Sequence, residues 1–113
     1  LEYRPLQFNI SAELIIDGKR KNMITRYFSE SNLNVNGKYL IIDGDDNYLG
    51  IAETKKQKVK LDDLDENILN YKLLGYKSLK AYKEDIIKDF SEYEKFGDNH
   101  VVVLETFTRI EKL

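Results

Sequence analysis

Lys19, Arg20, Lys21 and Arg26 stand close together in Asp17-Gly18-Lys19-Arg20-Lys21-Asn22-Met23-Ile24-Thr25-Arg26-Tyr27. They are the side chains of this sequence best suited to hold an anion. The formal net charge is −2, so the cluster is not a by-product of general basicity. An arginine fork meets a phosphate or a base edge with paired hydrogen bonds, and a lysine adds a point charge. The segment therefore points to a ligand held by Lys21 and Arg26. Gly18 lets the backbone approach that ligand closely, and Tyr27 offers a ring for base stacking, worth about 1–3 kcal/mol in single-stranded recognition. Lys19 and Arg20 read as surface charge. For Lys21 to act as a catalytic base, burial or a neighbouring cation such as Arg20 has to pull its pKa below the usual value of about 10.4.

Composition narrows the chemistry further. The chain has no Cys and a single His, His100. Disulfides and thiolate chemistry are excluded, and neither a His-dependent triad nor a His-based metal site is expected. Asp43, Asp45 and Asn47 imitate the opening of a calcium loop, but Tyr48 stands where that loop needs Gly and Thr54 where it needs Glu. The segment reads as a hairpin connection, with no metal and no cofactor implied. Lys and Arg total 18 against 20 Asp and Glu. That balance argues against a strong non-specific DNA binder and is compatible with a binder of a nucleotide or a short RNA. No apolar run approaches the roughly 20 residues of a membrane span, and Leu1 to Pro5 does not read as a signal peptide. A soluble, cytoplasmic protein is the expectation; the oligomeric state is not specified.

These residues need a scaffold, and the patterning supplies one. At 113 residues the chain reads as a single domain, 1–113, large enough for a core without a staple. Ser11 caps a short helix over Ala12–Asp17, with Glu13 in its first turn and Gly18 at its end. Met23–Phe28 is rich in β-branched and aromatic residues and predicts a strand. Val35–Ile42 predicts a second strand, and Asp43–Asn47 turns it into a long return strand, Tyr48–Lys60. On that strand Tyr48, Gly50, Ala52 and Thr54 share one face. Lys56, Lys58 and Lys60 also share a face, which serves either an RNA backbone or the protection of a sheet edge. Near Leu61 the period changes. Leu64, Ile68, Tyr71 and Leu74 predict a helix ended by Gly75, and Ser78 starts another with Leu79, Tyr82, Ile86 and Phe90 on its apolar stripe. Val101–Ile110 is the final strand. The order predicts an α+β fold: a small, mostly antiparallel sheet or open barrel with about three helices packed over it.

Three features then line up: Gly18 leading to Lys21 and Arg26, the hairpin from Gly37-Lys38-Tyr39 to Gly50-Ile51-Ala52, and Leu74-Gly75-Tyr76-Lys77-Ser78-Leu79 followed by Val101 to Phe107. Together they resemble the ASCH domain, a small relative of the PUA RNA-binding fold, from about Ile10 to Arg109. The resemblance implies an open β-barrel with a cleft beside the first helix and strand, and RNA or a nucleotide as partner. Some members of the family resemble amidohydrolases that act on acylated cytidine, and others have been described as ribonucleases. By that resemblance Lys21 takes the reactive-lysine position and Arg26 the cleft arginine. Where the hydrolase-like members carry Thr, this chain has Ile24, with Thr25 one residue late. Where they carry Glu, it has Leu74. A bulge bringing Thr25 into the site, with Glu53 as substitute acid, would restore the set. Without it, binding is the favoured reading and catalysis the alternative.

Overall fold

The computed structural model describes residues 3–9, 11–27, 29–33, 36–93 and 100–113. Five strands and two α-helices follow in the order β1 (Arg4–Gln7), α1 (Ala12–Ile16), β2 (Asn22–Arg26), β3 (Gly37–Ile42), β4 (Tyr48–Lys60), α2 (Leu79–Phe90) and β5 (Val101–Lys112). The strands form one open, mixed sheet ordered β1-β3-β4-β5-β2. The β1–β3 pair is parallel, and the other three pairings are antiparallel. The fold is α+β. No helix of the described residues is long and apolar enough to cross a membrane.

The spine is β4 with β5, paired from Gly50 opposite Lys112 to Lys60 opposite Val101. Alternation assigns their side chains to two cores. On one face α1 presses Ala12, Ile15 and Ile16 onto Ile41, Ala52 and Phe107. On the other, α2 brings Tyr82 and Ile86 onto Val102 and Leu104, with Leu61, Leu64 and Leu69 completing the layer. The predicted Gly50-Ala52-Thr54 face is buried under α1. A Cβ on Gly50 would stand 2.4 Å from the Glu111 carbonyl oxygen and 3.0 Å from Ile16 Cδ1, so glycine is what lets α1 seat.

Some expectations need revision. The helix expected over Leu64–Leu74 is absent; single 3-10 turns at Leu61–Asp63 and Lys72–Leu74 stand in its place. Asp65 and Asn70 explain this, because their side chains accept from the backbone N–H groups of Asn67 and Leu73 and divert the chain from helical pairing. Among the described residues there are thus two α-helices where about three are expected. β4 is flanked on both sides over Tyr48–Thr54, but from Lys55 to Lys60 it pairs with β5 alone, so Lys56, Lys58 and Lys60 stand on a stretch that β3 does not cover. The outer strands are β1 and β2, and β1, which carries Pro5, is not anticipated from the sequence. Ser11 makes no side-chain cap of α1, whereas Ser78 caps α2 by accepting from the Ala81 N–H at 3.0 Å. Phe28 and Val35, assigned above to strands, lie outside the described residues.

The position of β2 has one topological consequence. It lies beside β5, while β3 lies beyond β4, so β2 and β3 stand on opposite sides of the β4–β5 pair. The 3-10 turn Glu30–Leu33 is met by a salt bridge from Lys58 Nζ, on β4, to Glu30 at 3.3 Å.

Candidate functional site

The helix stop at Gly18 builds the first wall. Gly18 has φ +75°. Its N–H donates to the Ile15 carbonyl at 3.1 Å, and the N–H groups of Lys19 and Arg20 donate to the Leu14 carbonyl at 2.9 and 3.0 Å. This is a Schellman arrangement, which needs a left-handed residue after the helix. It reverses the chain so that Lys19, Arg20 and Lys21 run from the helix end into β2. Gly18 is therefore a positioning residue and not part of the cavity wall.

Lys19–Asn22 line a cavity of about 280 Å³. The opposite wall is Glu66–Ile68 and Asn70, and Leu73, Leu74 and Tyr82 also line it. The walls are tied together by Asn22, whose Nδ2 donates to the Ile68 carbonyl. Arg20 is half-buried at this junction. Its Nε donates to the Asn22 carbonyl at 3.2 Å and its Nη1 to the Ser11 hydroxyl. Among the described residues, no carboxylate lies within ion-pair distance of it. Burial lowers the Arg20 pKa, and nearby Tyr82 acts the other way; a guanidinium remains charged at neutral pH regardless. Burial in turn raises the Tyr82 phenol, with Arg20 opposing. The arrangement suits an anion carrying a polar, partly apolar body. Arg20 and two exposed lysines supply charge, two asparagines supply amides, and Leu73 and Leu74 supply apolar contact.

The residues singled out from the sequence fall in three places. Lys21 lines the cavity. Arg26 is at the far end of β2, about 17 Å along an extended strand, with its Cζ 4.2 Å from the centre of the Tyr93 ring. Tyr27 donates its hydroxyl to Glu30 at 2.6 Å, and Lys58 Nζ lies 4.9 Å from its ring centre. That hydrogen bond chiefly raises the Tyr27 phenol and lowers the Glu30 carboxyl. Thr25 lies opposite Val103, on the sheet face that carries α1. Ile24 turns the other way and packs against the α2 core. Leu74 lines the cavity. Glu53 stands opposite Lys38 and Thr108, outside the lining, whereas Glu66 is within it.

Arg20, Asn22, Glu66 and Tyr82 are the site residues the sequence reading did not select. For Arg20 a signal existed: the second residue after a Schellman glycine is turned back toward the helix. The Asp43 turn holds itself, with Asp43 Oδ1 accepting from the N–H groups of Asp45 and Asn47 at 2.9 Å each. Those bonds, Asn47's first, lower the Asp43 carboxyl.

No family model matches the chain, and no curated protein matches it significantly. Among solved structures the fold is similar to that of protein EF3133 from Enterococcus faecalis V583, described as a DUF984 protein. The TM-score is 0.66 at 14% identity, over 100% of this chain and 83% of the other. At that identity the likeness extends to the fold alone.

Proposed function

We propose that this chain is an ASCH-like domain, its sheet a divergent form of that family's open barrel, which binds a nucleotide or a short RNA in the cavity between the α1–β2 junction and the 66–74 segment. One observation carries the reading: a half-buried Arg20, without a carboxylate partner among the described residues, beside Lys19 and Lys21 in a cavity wall. A phosphate there would take the free donors of the guanidinium, and the amides and leucines would hold sugar or base. The test is titration with the nucleoside 5′-monophosphates and short RNAs at low and moderate salt. Saturable binding that weakens with salt is expected; no saturable signal from any of them removes the reading.

The second reading is a nucleoside amidohydrolase or a ribonuclease. In its favour, Glu66 and Tyr82 line the same cavity as Lys21. Against it, Leu74 lines that cavity too, and Thr25 and Glu53 lie elsewhere. Incubation with N4-acetylcytidine, followed for release of cytidine, decides the acyl-cytidine case; no turnover eliminates that substrate.

A further inference from the structure

The sheet face that carries the Lys58–Glu30 ion pair holds a polar cluster that the Arg20 cavity does not use. Glu105, in the middle of β5, is flanked by Met23 of β2 and Lys56 of β4. It is 4% exposed, and its Oε2 is buried with no hydrogen-bond partner. One step along the register, Thr25 and Lys58 flank Val103. Strand alternation places Thr25, Lys56 and Glu105 on one face, together with Phe107 beneath α1. Thr25 and Lys56 are half-buried. Among the described residues, neither the Thr25 hydroxyl nor the Lys56 ammonium makes a hydrogen bond or a salt bridge. Lys58, by contrast, is engaged with Glu30.

A buried carboxylate oxygen without a donor loses hydration that nothing replaces. Burial accordingly raises the Glu105 carboxyl above its ordinary range, with Lys56 opposing. An apolar residue between Met23 and Lys56 would fill the space without that penalty. Instead an acceptor, a hydroxyl and a cationic donor occupy adjacent register positions, and the Glu105 Oε2 is buried without a donor.

We infer that Glu105, Lys56 and Thr25 form a second binding site, on the sheet face opposite Tyr82, for a small planar molecule that presents an N–H donor beside a carbonyl oxygen, as the lactam edge of uracil does. Glu105 accepts from the N–H, Lys56 donates to the carbonyl, and the Thr25 hydroxyl serves either. Lys56 and Lys58 disfavour a cationic ligand, and Glu105 disfavours a free phosphate; a neutral donor–acceptor edge satisfies both signs of charge. The site stands independently of the nucleotide reading of the Arg20 cavity.

The test follows the 13C resonance of the Glu105 side-chain carboxyl while the whole chain is titrated with uracil, and separately with 1,3-dimethyluracil, which lacks both N–H donors. A saturable shift with uracil and none with the dimethyl compound is expected. Glu105→Gln should weaken uracil binding at least tenfold and Lys56→Met at least threefold, with thermal unfolding verifying that both variants fold. Arg20→Ala should leave uracil binding unchanged. No saturable shift up to the solubility limit, an equal response to 1,3-dimethyluracil, undiminished affinity in folded Glu105→Gln, or loss of uracil binding in Arg20→Ala would each overturn the inference. The wild-type comparison of the two pyrimidines stands even where a variant fails to fold.

Discussion

The two ends of β2 carry similar cations in unlike settings. At its start, Arg20 and Lys21 line a cavity, and the Arg20 guanidinium is half-buried without a carboxylate among the described residues. At its end, Arg26 lies over the Tyr93 ring. In sequence the two ends belong to one basic cluster. In the fold, the length of an extended strand separates them, and alternation turns Lys21 and Arg26 to opposite faces. A basic cluster read along a strand is therefore not one site. Which of its members can meet a ligand depends on what each end of the strand packs against.

The largest effect that can break this comparison comes from Gly50→Ala. The new methyl collides with the Glu111 carbonyl and displaces Ile16, lifting the helix whose end aims Arg20. Overpacking of this kind costs about 1–3 kcal/mol. Urea unfolding should show that loss, and the remaining folded protein should bind nucleotide more weakly, while the Arg26 end is unaffected. Next in size, Arg20→Ala should reduce nucleotide affinity about tenfold or more, in line with about 1.5–3 kcal/mol for hydrogen bonds to a charged group; calorimetric titration reads it. Arg20→Lys should recover little of the loss, because a point charge does not reproduce a planar fork.

Arg26→Ala comes third. It removes the contact with Tyr93, so stability should fall by about 0.5–1 kcal/mol with nucleotide affinity unchanged. An equal loss of affinity in Arg26→Ala and Arg20→Ala would erase the distinction between the ends. The smallest effect concerns Asp17, which pairs with Lys112 at 2.8 Å and ties the end of α1 to β5. That hydrogen bond holds the Asp17 carboxyl below its ordinary value of 3.8. The stabilisation is present above that value and lost as pH falls through the lowered one. Thermal midpoints of wild type and Asp17→Asn should accordingly differ slightly at neutral pH and converge in acid.

Much of the scaffold was legible in the chain. The 3.6-residue stripe and Ser78 located α2, and the run from Tyr48 to Lys60 matched β4 at both ends. Gly18 marked the end of α1 correctly. What escaped depended on distant or competing interactions. β1 exists because it pairs in parallel with β3, a partner more than thirty residues away, and four residues containing a proline announce little by themselves. The apolar stripe of Leu64, Ile68, Tyr71 and Leu74 was real as burial, but Asp65 and Asn70 took the backbone into turns. From sequence Lys21 reads as a cleft residue and Arg20 as surface charge, because the Schellman turn that directs Arg20 and the half-buried cavity wall it joins, with Tyr82 of α2 nearby, are not displayed by local spacing. Glu105 was hidden in the most β-forming run of the chain. A lone acid between Leu104 and Thr106 gives no sign in sequence that it faces inward without a partner.

The central claim is that the Arg20 end of β2, and not the Arg26 end, holds an anionic ligand. Parallel titration of wild type, Arg20→Ala and Arg26→Ala with the same nucleoside 5′-monophosphate, at one low salt concentration, tests it most directly. The account predicts saturable binding by wild type and Arg26→Ala with similar affinities, and a drop of about tenfold or more in Arg20→Ala. Full binding by Arg20→Ala together with loss in Arg26→Ala would contradict it.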